Sequence, residues 1–200
     1  MQVEPTVPLI GLTGGMGAGK STALKALERL GAAVQSTDAV VHELYEGERL
    51  REAVIARWGP EVAPNGRVDR AAVAKRAFAD EAGRAWLEST VWPMVGERIG
   101  IWLEQVRAIR PAPRVTVIEV PLLFEAGMEG MYDATIAVVA SERLRESRAA
   151  SRGHALTEER AARQLSQEEK ARRATYVVQN DGSEEELERE LSDVLDKLGR

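Results

Sequence analysis

Short apolar runs separated by amphipathic stretches dominate the pattern of this chain. The runs have the length of buried strands and cover residues 7–12, 32–35, 115–120, 133–140 and 175–179. Because buried parallel strands read as near-continuous apolar runs and alternate with helices, this order predicts an α/β fold. We expect a five-stranded parallel sheet in a three-layer arrangement, with helices on both of its faces.

Two helices have clear sequence signals. Residues 21–30 carry a stripe of leucines, and Gly31 stands where a C-terminal cap is expected. Near the end of the chain, Ser183 and Glu186 have the spacing of a capping box. The apolar face that follows consists of Leu187, Leu191, Val194, Leu195 and Leu198. We expect this face to pack into the core.

The long stretch between the second and third apolar runs has a different pattern. From Val40 to about Ile109 it is helical, with breaks at 59–60 and 64–66. It contains all the tryptophans of the chain, which are Trp58, Trp86, Trp92 and Trp102. Core packing or the lining of a groove is the expected role of these side chains. The pattern predicts a helical insertion on the ligand side of the sheet.

A glycine-rich motif follows the first apolar run. Gly14 to Ser21 reads G-x-x-x-x-G-K-S, a complete phosphate-binding loop, and it stands between a predicted strand and a predicted helix. Glycines let successive amides turn toward a phosphate, and the helix adds the positive end of its dipole. We expect Lys20 to contact the β- and γ-phosphates of a nucleotide and the Ser21 hydroxyl to ligate Mg²⁺. A glycine-rich turn that binds nothing is the alternative.

Acidic residues near the ends of two predicted strands are further candidates. Asp38 follows the second run, and ligands of parallel sheets lie beyond the carboxyl ends of the strands. Its position before an apolar helical stretch is equally typical of a helix N-cap, and one residue could serve both roles. Glu119 and Glu125, near the end of the third run, are candidate acids for the water shell of Mg²⁺. Spacing does not choose between them.

Arginines cluster after the fourth run. They are Arg143, Arg145, Arg148, Arg152, Arg160 and Arg163. Arginine stays charged and its planar fork matches phosphate oxygens, so such a cluster is typical of the lid of a phosphoryl-transfer enzyme. Surface helices also carry Glu and Arg at i, i+3 spacing, as Glu142 and Arg145 do. We therefore expect only one or two of these arginines to contact phosphate.

Composition narrows the class of protein. The 200 residues fit one domain with an insertion, and the net charge of −5 disfavours nucleic acid as a partner. The absence of cysteine excludes disulfides and thiol chemistry. No apolar run approaches the roughly 18 residues of a membrane span. We expect a cytoplasmic protein without a membrane partner.

The segment from Ile10 to Thr22 resembles the phosphate loop of the dephospho-coenzyme A kinase family, which is more specific than the general motif. Segments similar to that family recur at 66–70 with Phe78, at 120–125, and at Asn180 with residues 182–183. The resemblance covers nearly the whole chain. It implies a P-loop NTPase-type fold and an enzyme that transfers the γ-phosphoryl of ATP, with Mg²⁺, to the ribose 3′-hydroxyl of dephospho-CoA. That reaction is the last step of coenzyme A biosynthesis.

The resemblance also implies a domain organisation. Residues 5–38 and 112–200 would form a nucleotide-binding core, residues 39–111 a helical coenzyme A-binding insertion, and residues 145–170 the lid. ATP and dephospho-CoA are the expected partners, and a monomer or small homo-oligomer is the expected assembly.

Roles for individual residues follow from the same resemblance. Lys20, Asp38 and Arg148 would be catalytic, with Asp38 as the base. The nucleotide would be bound by Gly15, Gly17, Ala18, Gly19, Lys20, Ser21, Thr22, Arg152 and Asn180, and Mg²⁺ by Ser21. The acceptor would be bound by Asp38, Arg70, Phe78, Pro93 and Leu122. Arg163 and Gln167 also match the lid of the family.

The chain departs from the family pattern at three positions. Ser36 stands where the family has the first acid of a D-x-D element. Trp92 replaces the histidine of a His-Pro pair, and Thr175 replaces an aspartate before the last predicted strand. None of these changes removes Lys20 or Asp38.

Other functions share these motifs. A kinase for another small hydroxyl acceptor, such as a nucleoside monophosphate, would differ only in what the helical insertion recognises. A non-catalytic nucleotide switch is a second alternative, although the chain has no N-K-x-D segment and no D-x-x-G after the third run. A degenerate family member that binds ligand without catalysis is a third.

Overall fold

The computed structural model describes residues 7–150 and 164–198. The chain forms two compact units. The sheet unit comprises the chain up to Ser36 and from Val106 onward, and the helical unit comprises Thr37–Gln105. Each unit has a hydrophobic core of its own.

Five parallel strands form the centre of the sheet unit. They are β1 (Leu9–Gly14), β2 (Ala33–Ser36), β3 (Thr116–Glu119), β4 (Ala134–Val139) and β5 (Tyr176–Gln179). Their order across the sheet is β2-β3-β1-β4-β5, and every neighbouring pair is parallel. This confirms the predicted α/β fold with a five-stranded parallel sheet.

The described residues form eight α-helices. In chain order they are α1 (Lys20–Arg29), α2 (Thr37–Glu46), α3 (Glu48–Trp58), α4 (Arg70–Ala77), α5 (Glu81–Arg107), α6 (Glu142–Ala150), α7 (Gln167–Arg173) and α8 (Glu184–Leu198). Short 3₁₀ turns cover Pro60–Val62, Pro64–Gly66 and Glu129–Met131. No helix among the described residues is long and apolar enough to cross a membrane.

Both faces of the sheet are covered by helices. Alternate residues of a strand point to opposite faces. Leu12 of β1 belongs to the core cluster that contains Leu27 of α1 and Leu191 of α8. Thr13 points to the other face, where its hydroxyl is 3.5 Å from Lys170 Nζ of α7.

The predicted capping box at α8 is confirmed. The backbone N–H of Ser183 donates to Glu186 Oε2 at 2.9 Å, and the N–H of Glu186 donates to the Ser183 hydroxyl at 3.3 Å. The last helix therefore starts where its own sequence places it.

The helical unit has its core between α2, α3, α4 and α5. Val40, Leu50, Val54, Val73 and Val95 are all buried there. Buried pairs four positions apart, such as Leu50 and Val54 or Val91 and Val95, show why the stretch reads as helical.

The tryptophans do not all share one environment. Trp58 and Trp86 pack edge to face with ring centroids 4.8 Å apart, as expected for core aromatic residues. Trp92 is 48% exposed, so core packing is wrong for this residue, and the lining of a groove stays a prediction.

Candidate active site

The loop between β1 and α1 is curled by glycines. Gly17 and Gly19 have φ values of 74° and 93°, in the left-handed region that favours glycine. A Cβ on Gly17 would overlap the backbone oxygen of Arg145, and a Cβ on Gly19 would overlap the side-chain amide of Asn180. The close approach of two distant segments therefore requires glycine at both positions.

Lys20 lies at the start of α1 and bridges the loop. Its Nζ donates to the carbonyl oxygens of Gly14 and Gly15, both at 3.1 Å. These bonds hold the ammonium over the loop, where a phosphate group would meet it.

The N-terminus of α1 is suited to an anion. Its N-cap is Gly19, and no side chain among the described residues forms a cap hydrogen bond there. The first amides of a helix lack partners within the helix, and its dipole favours negative charge. Ser21 is exposed in this first turn, so its hydroxyl could ligate a Mg²⁺ ion that also contacts phosphate oxygens. The loop thus fits both a nucleotide phosphate and its metal.

Asn180, directly after β5, fixes the loop through its side chain. This residue is 5% exposed, and its side-chain amide donates to the carbonyl oxygen of Ala18 at 2.8 Å. Its own backbone carbonyl accepts from Arg148 Nη1 at 3.3 Å. The Asn180 side chain therefore supports the loop, and its predicted contact with the nucleotide stays a prediction.

The arginines of α6 approach the same loop. Arg148 Nη1 lies 3.5 Å from the carbonyl oxygen of Gly17. Arg145 packs its backbone against Gly17, and its Nη1 is 3.2 Å from the position of a Cβ on Gly15. Sequence reasoning did not choose among the arginines of the lid cluster, because only the fold shows that Arg145 of α6 lies against the loop.

The buried Nε of Arg145 has no hydrogen-bond partner among the described residues. The predicted lid residues Arg152 and Arg163, and half of the predicted lid segment, lie outside the described residues. Within the described part of the lid, α6 and α7 both contact the loop region.

Comparisons with known proteins agree with this geometry. A family model described as dephospho-CoA kinase matches residues 8–186. The chain is 38% identical to a dephospho-CoA kinase of Moorella thermoacetica, covering 92% of this chain and 94% of that protein. It is 40% identical to one of Deinococcus radiodurans, covering 98% and 95% of the two chains. The chain belongs to the dephospho-CoA kinase family.

A solved structure supports the same assignment. The crystal structure of TT1252 from Thermus thermophilus is similar with a TM-score of 0.79 and 37% identity, covering 96% of this chain and 99% of that one. The predicted family is therefore confirmed. The chain is a phosphotransferase of the phosphate-loop class.

Two predicted acceptor residues of this kinase lie just beyond strand ends. Asp38 is exposed in the first turn of α2, two residues after the end of β2. Because α2 begins at Thr37, Asp38 lies inside the helix and not at the N-cap position before it. Leu122 is half-buried in the turn after β3. The roles of both residues in acceptor binding stay predictions.

Three further residues that are predicted to bind the phosphoryl acceptor lie in the helical unit. Arg70 begins α4, and its Nη1 is 2.5 Å from His42 Nδ1, while its guanidinium carbon is 5.3 Å from the centre of the Tyr45 ring. Phe78 is 43% exposed at the end of α4, and Pro93 is exposed within α5. The structure thus brings Arg70 together with two residues of α2 that sequence reasoning missed. Their i, i+3 spacing on one helix face was the available signal.

The two candidate acids after β3 differ in environment. Glu119 is 6% exposed within the strand. Glu125 Oε1 lies 2.9 Å from Lys170 Nζ and accepts from the backbone N–H of Leu165 at 2.8 Å. Because an ammonium already neutralises Glu125, this residue is poorly suited to a divalent cation. The described residues contain no group of three or more acidic or histidine side chains that could hold a metal alone.

Proposed function

We propose that this kinase transfers the γ-phosphoryl group of ATP to the ribose 3′-hydroxyl of dephospho-CoA, giving CoA and ADP. The observation that carries the proposal is the glycine-curled loop with Lys20 held above it, in a chain of this family. Phosphoryl transfer needs little covalent chemistry from the protein, since positioning and charge neutralisation supply most of the rate.

Each part of the loop has a task in this proposal. The loop amides and Lys20 bind the β- and γ-phosphates and stabilise the charge that develops on them. Ser21 holds Mg²⁺, which when bound neutralises charge on the phosphate oxygens. Arg148, whose guanidinium lies at Gly17, adds positive charge at the loop.

Asp38 is proposed as the catalytic base. It orients the acceptor hydroxyl and accepts its proton late in the reaction, which an ordinary carboxylate can do. Support comes from its place just beyond the end of β2. Strands β2, β3 and β1 are parallel and end at the same edge of the sheet, and the phosphate loop leaves β1 at that edge. Arg70, with Tyr45 and His42 beside it, is proposed to contact the acceptor.

The acceptor is tested by a coupled assay of ADP release with a panel of acceptors. We expect turnover with dephospho-CoA and only background release with nucleoside monophosphates or with no acceptor. Background rates with dephospho-CoA would contradict the proposal, and turnover with a nucleoside monophosphate would support the alternative acceptor class.

The base is tested by Asp38→Asn. This change removes the proton acceptor and keeps the size of the side chain, so we expect kcat to fall about 10²- to 10⁴-fold while the Kd of ADP is unchanged. Calorimetry with ADP and initial rates with dephospho-CoA measure the two effects. An unchanged kcat would exclude Asp38 as the base. The cytoplasmic location and the monomeric or small homo-oligomeric state stay predictions.

A further inference from the structure

A fully buried lysine lies in α7, on the sheet face opposite to α1 and α8. The side chain of Lys170 is 0% exposed. Burial lowers the pKa of its ammonium, while the nearby Glu125 carboxylate opposes that shift. A buried charge is retained only where specific partners surround it.

The partners of Lys170 come from two other segments of the chain. Its Nζ is 2.9 Å from Glu125 Oε1 and donates to the carbonyl oxygen of Pro121 at 2.5 Å. It also lies 3.5 Å from the hydroxyl of Thr13, which itself donates to Pro121 at 3.3 Å. One ammonium thus joins α7, the turn after β3 and the end of β1.

The end of β1 is also the beginning of the phosphate loop. Thr13 directly precedes Gly14, whose carbonyl oxygen accepts from Lys20. One turn before Lys170, the Gln167 side chain accepts from the backbone N–H of Ala140 at 2.7 Å, and its Cβ is 3.8 Å from the position of a Cβ on Gly15. The helix that carries Lys170 therefore lies directly behind the loop.

A second ion pair fixes the same helix. Arg173 pairs with Glu129, and its guanidinium carbon is 5.0 Å from the centre of the Phe124 ring. Two basic residues of α7, one turn apart, thus attach it to the segment between β3 and β4. Because α7 contacts both the segment between β3 and β4 and the end of β1, a shift of that segment would also shift the loop.

Stability alone does not account for the buried pair. Replacement of a buried ion pair by apolar side chains of similar volume is often neutral or stabilising. An apolar pair would fill the same space, but it could not donate to Pro121 or to the Thr13 hydroxyl. Those hydrogen bonds are what the lysine adds.

We propose that Lys170, paired with Glu125, is a positioning residue for phosphoryl transfer. It holds the end of β1 and the turn after β3 in the arrangement that the phosphate loop needs to bind nucleotide. The effect on turnover rests on the proposed function, whereas the effect on nucleotide binding does not.

The decisive variant is the double substitution Lys170→Met with Glu125→Leu, which replaces the pair by apolar side chains. We expect a small fall in melting temperature, because the Pro121 carbonyl and the Leu165 N–H lose these partners but no unpaired charge is left buried. We expect the Kd of ADP to rise about tenfold and kcat to fall about 10²-fold, since a small displacement of a binding loop has effects of that size. Calorimetry with ADP, thermal unfolding and initial rates give the three values.

A matched control uses an exposed ion pair of the same unit. Arg29 and Glu188 lie 2.7 Å apart, with side chains 47% and 35% exposed, and join α1 to α8. Arg29→Met with Glu188→Leu makes the same chemical change away from the loop. It should leave the Kd of ADP and kcat unchanged.

Thr13→Val provides a second arm, because it removes only the hydroxyl between Lys170 and Pro121. We expect a smaller rise in the Kd of ADP, of about threefold, with little change in melting temperature. The proposal is overturned if the folded double variant binds ADP and turns over like the wild type, or, where that variant does not fold, if Thr13→Val does so. If the wild type shows no turnover with dephospho-CoA, the proposed function fails, and ADP affinity alone decides the role of Lys170.

Discussion

Two helices of this protein begin in opposite ways. α4, in the helical unit, follows Asp69, whose Oδ1 accepts from the N–H groups of Ala71 and Ala72 at 2.9 and 3.1 Å. α1, in the sheet unit, follows Gly19, which has no side chain to offer as an acceptor, and no other described side chain caps it. In α4 the Asp69 side chain bonds the first amides, so the beginning of this helix has a structural role. The helix without a side-chain cap has a start suited to a ligand.

Glycine in place of a side-chain cap has a small cost in helix stability and a large functional consequence. A side-chain cap stabilises a helix by about 1 kcal/mol, and glycine at the cap position loses only a few tenths of that. The α1 start is instead supported by bonds around it, from Lys20 to two loop carbonyls and from Asn180 to Ala18. The loop can therefore keep its shape without a side-chain cap at the start of α1.

The largest expected effect comes from removing the charge at the α1 start. Lys20→Ala should lower kcat/KM about 10³-fold and weaken ADP binding, because one preorganised cation is lost where charge develops. Initial rates and calorimetry check both. Lys25→Ala, on an exposed turn of the same helix, is the control and should behave like the wild type. Wild-type rates in Lys20→Ala would show that α1 does not bind the nucleotide.

Loop shape is tested by Gly17→Ala against Gly127→Ala. Both glycines have positive φ, of 74° and 64°, but a Cβ on Gly17 overlaps the Arg145 backbone, whereas nothing lies within 4 Å of one on Gly127. Both variants should lose about 1 kcal/mol of stability from backbone strain. Only Gly17→Ala should also raise the Kd of ADP, by about tenfold, because α6 must move away from the loop. Equal ADP affinities would mean that the contact with α6 has no part in binding.

The capped helix should respond in the opposite sense. Asp69→Ala removes the acceptor for two amides of α4 and should lower the free energy of unfolding by about 1 kcal/mol. Asp69→Asn, which keeps a capping oxygen, should lose much less. Denaturant unfolding measures both, and ADP affinity should not change in either. A fall in ADP affinity would show that the two helix starts are not functionally separate.

The smallest effect concerns a third kind of helix start. At α6, the N–H of Ser141 donates to Asp181 Oδ1 at 2.6 Å, so a carboxylate from another segment occupies this end. That hydrogen bond, with one from Gln179, lowers the pKa of Asp181. A lowered folded-state pKa gives stability that is present above the unfolded value of about 4 and is lost as the pH falls through the folded value.

Asp181→Asn should therefore lie closest to the wild type in acid. The difference in melting temperature between the two proteins should shrink as the pH falls from about 6 to about 3. A difference that stays constant over this range would mean that the charge of Asp181 does not act on α6.

Local signals allowed much of the sheet unit to be predicted. The central strands β1, β3 and β4 appear in sequence as apolar runs because they are buried on both faces. The phosphate loop and the capping box of α8 are each contained in a few consecutive residues. Such features need no knowledge of distant contacts.

The parts that were missed depend on distant contacts. Lys170 stands among charged residues and reads as a surface position, yet its partner Glu125 lies 45 positions earlier and makes it a buried one. Arg145 looks like one of several helix arginines until the fold brings α6 against Gly17. Trp92 was expected to pack in a core or to line a groove, and only the fold shows that it is 48% exposed.

The bond between Asn180 and the loop has a consequence for the timing of synthesis. The two residues that it joins, Ala18 and Asn180, are 162 positions apart. While the chain emerges from the ribosome, the loop is made long before the side chain that fixes it. Contacts of such long sequence separation form late. Growing chains that end before β5 should therefore have a nucleotide motif without a nucleotide site, and ATP should begin to stabilise the fold only after Asn180 has been made.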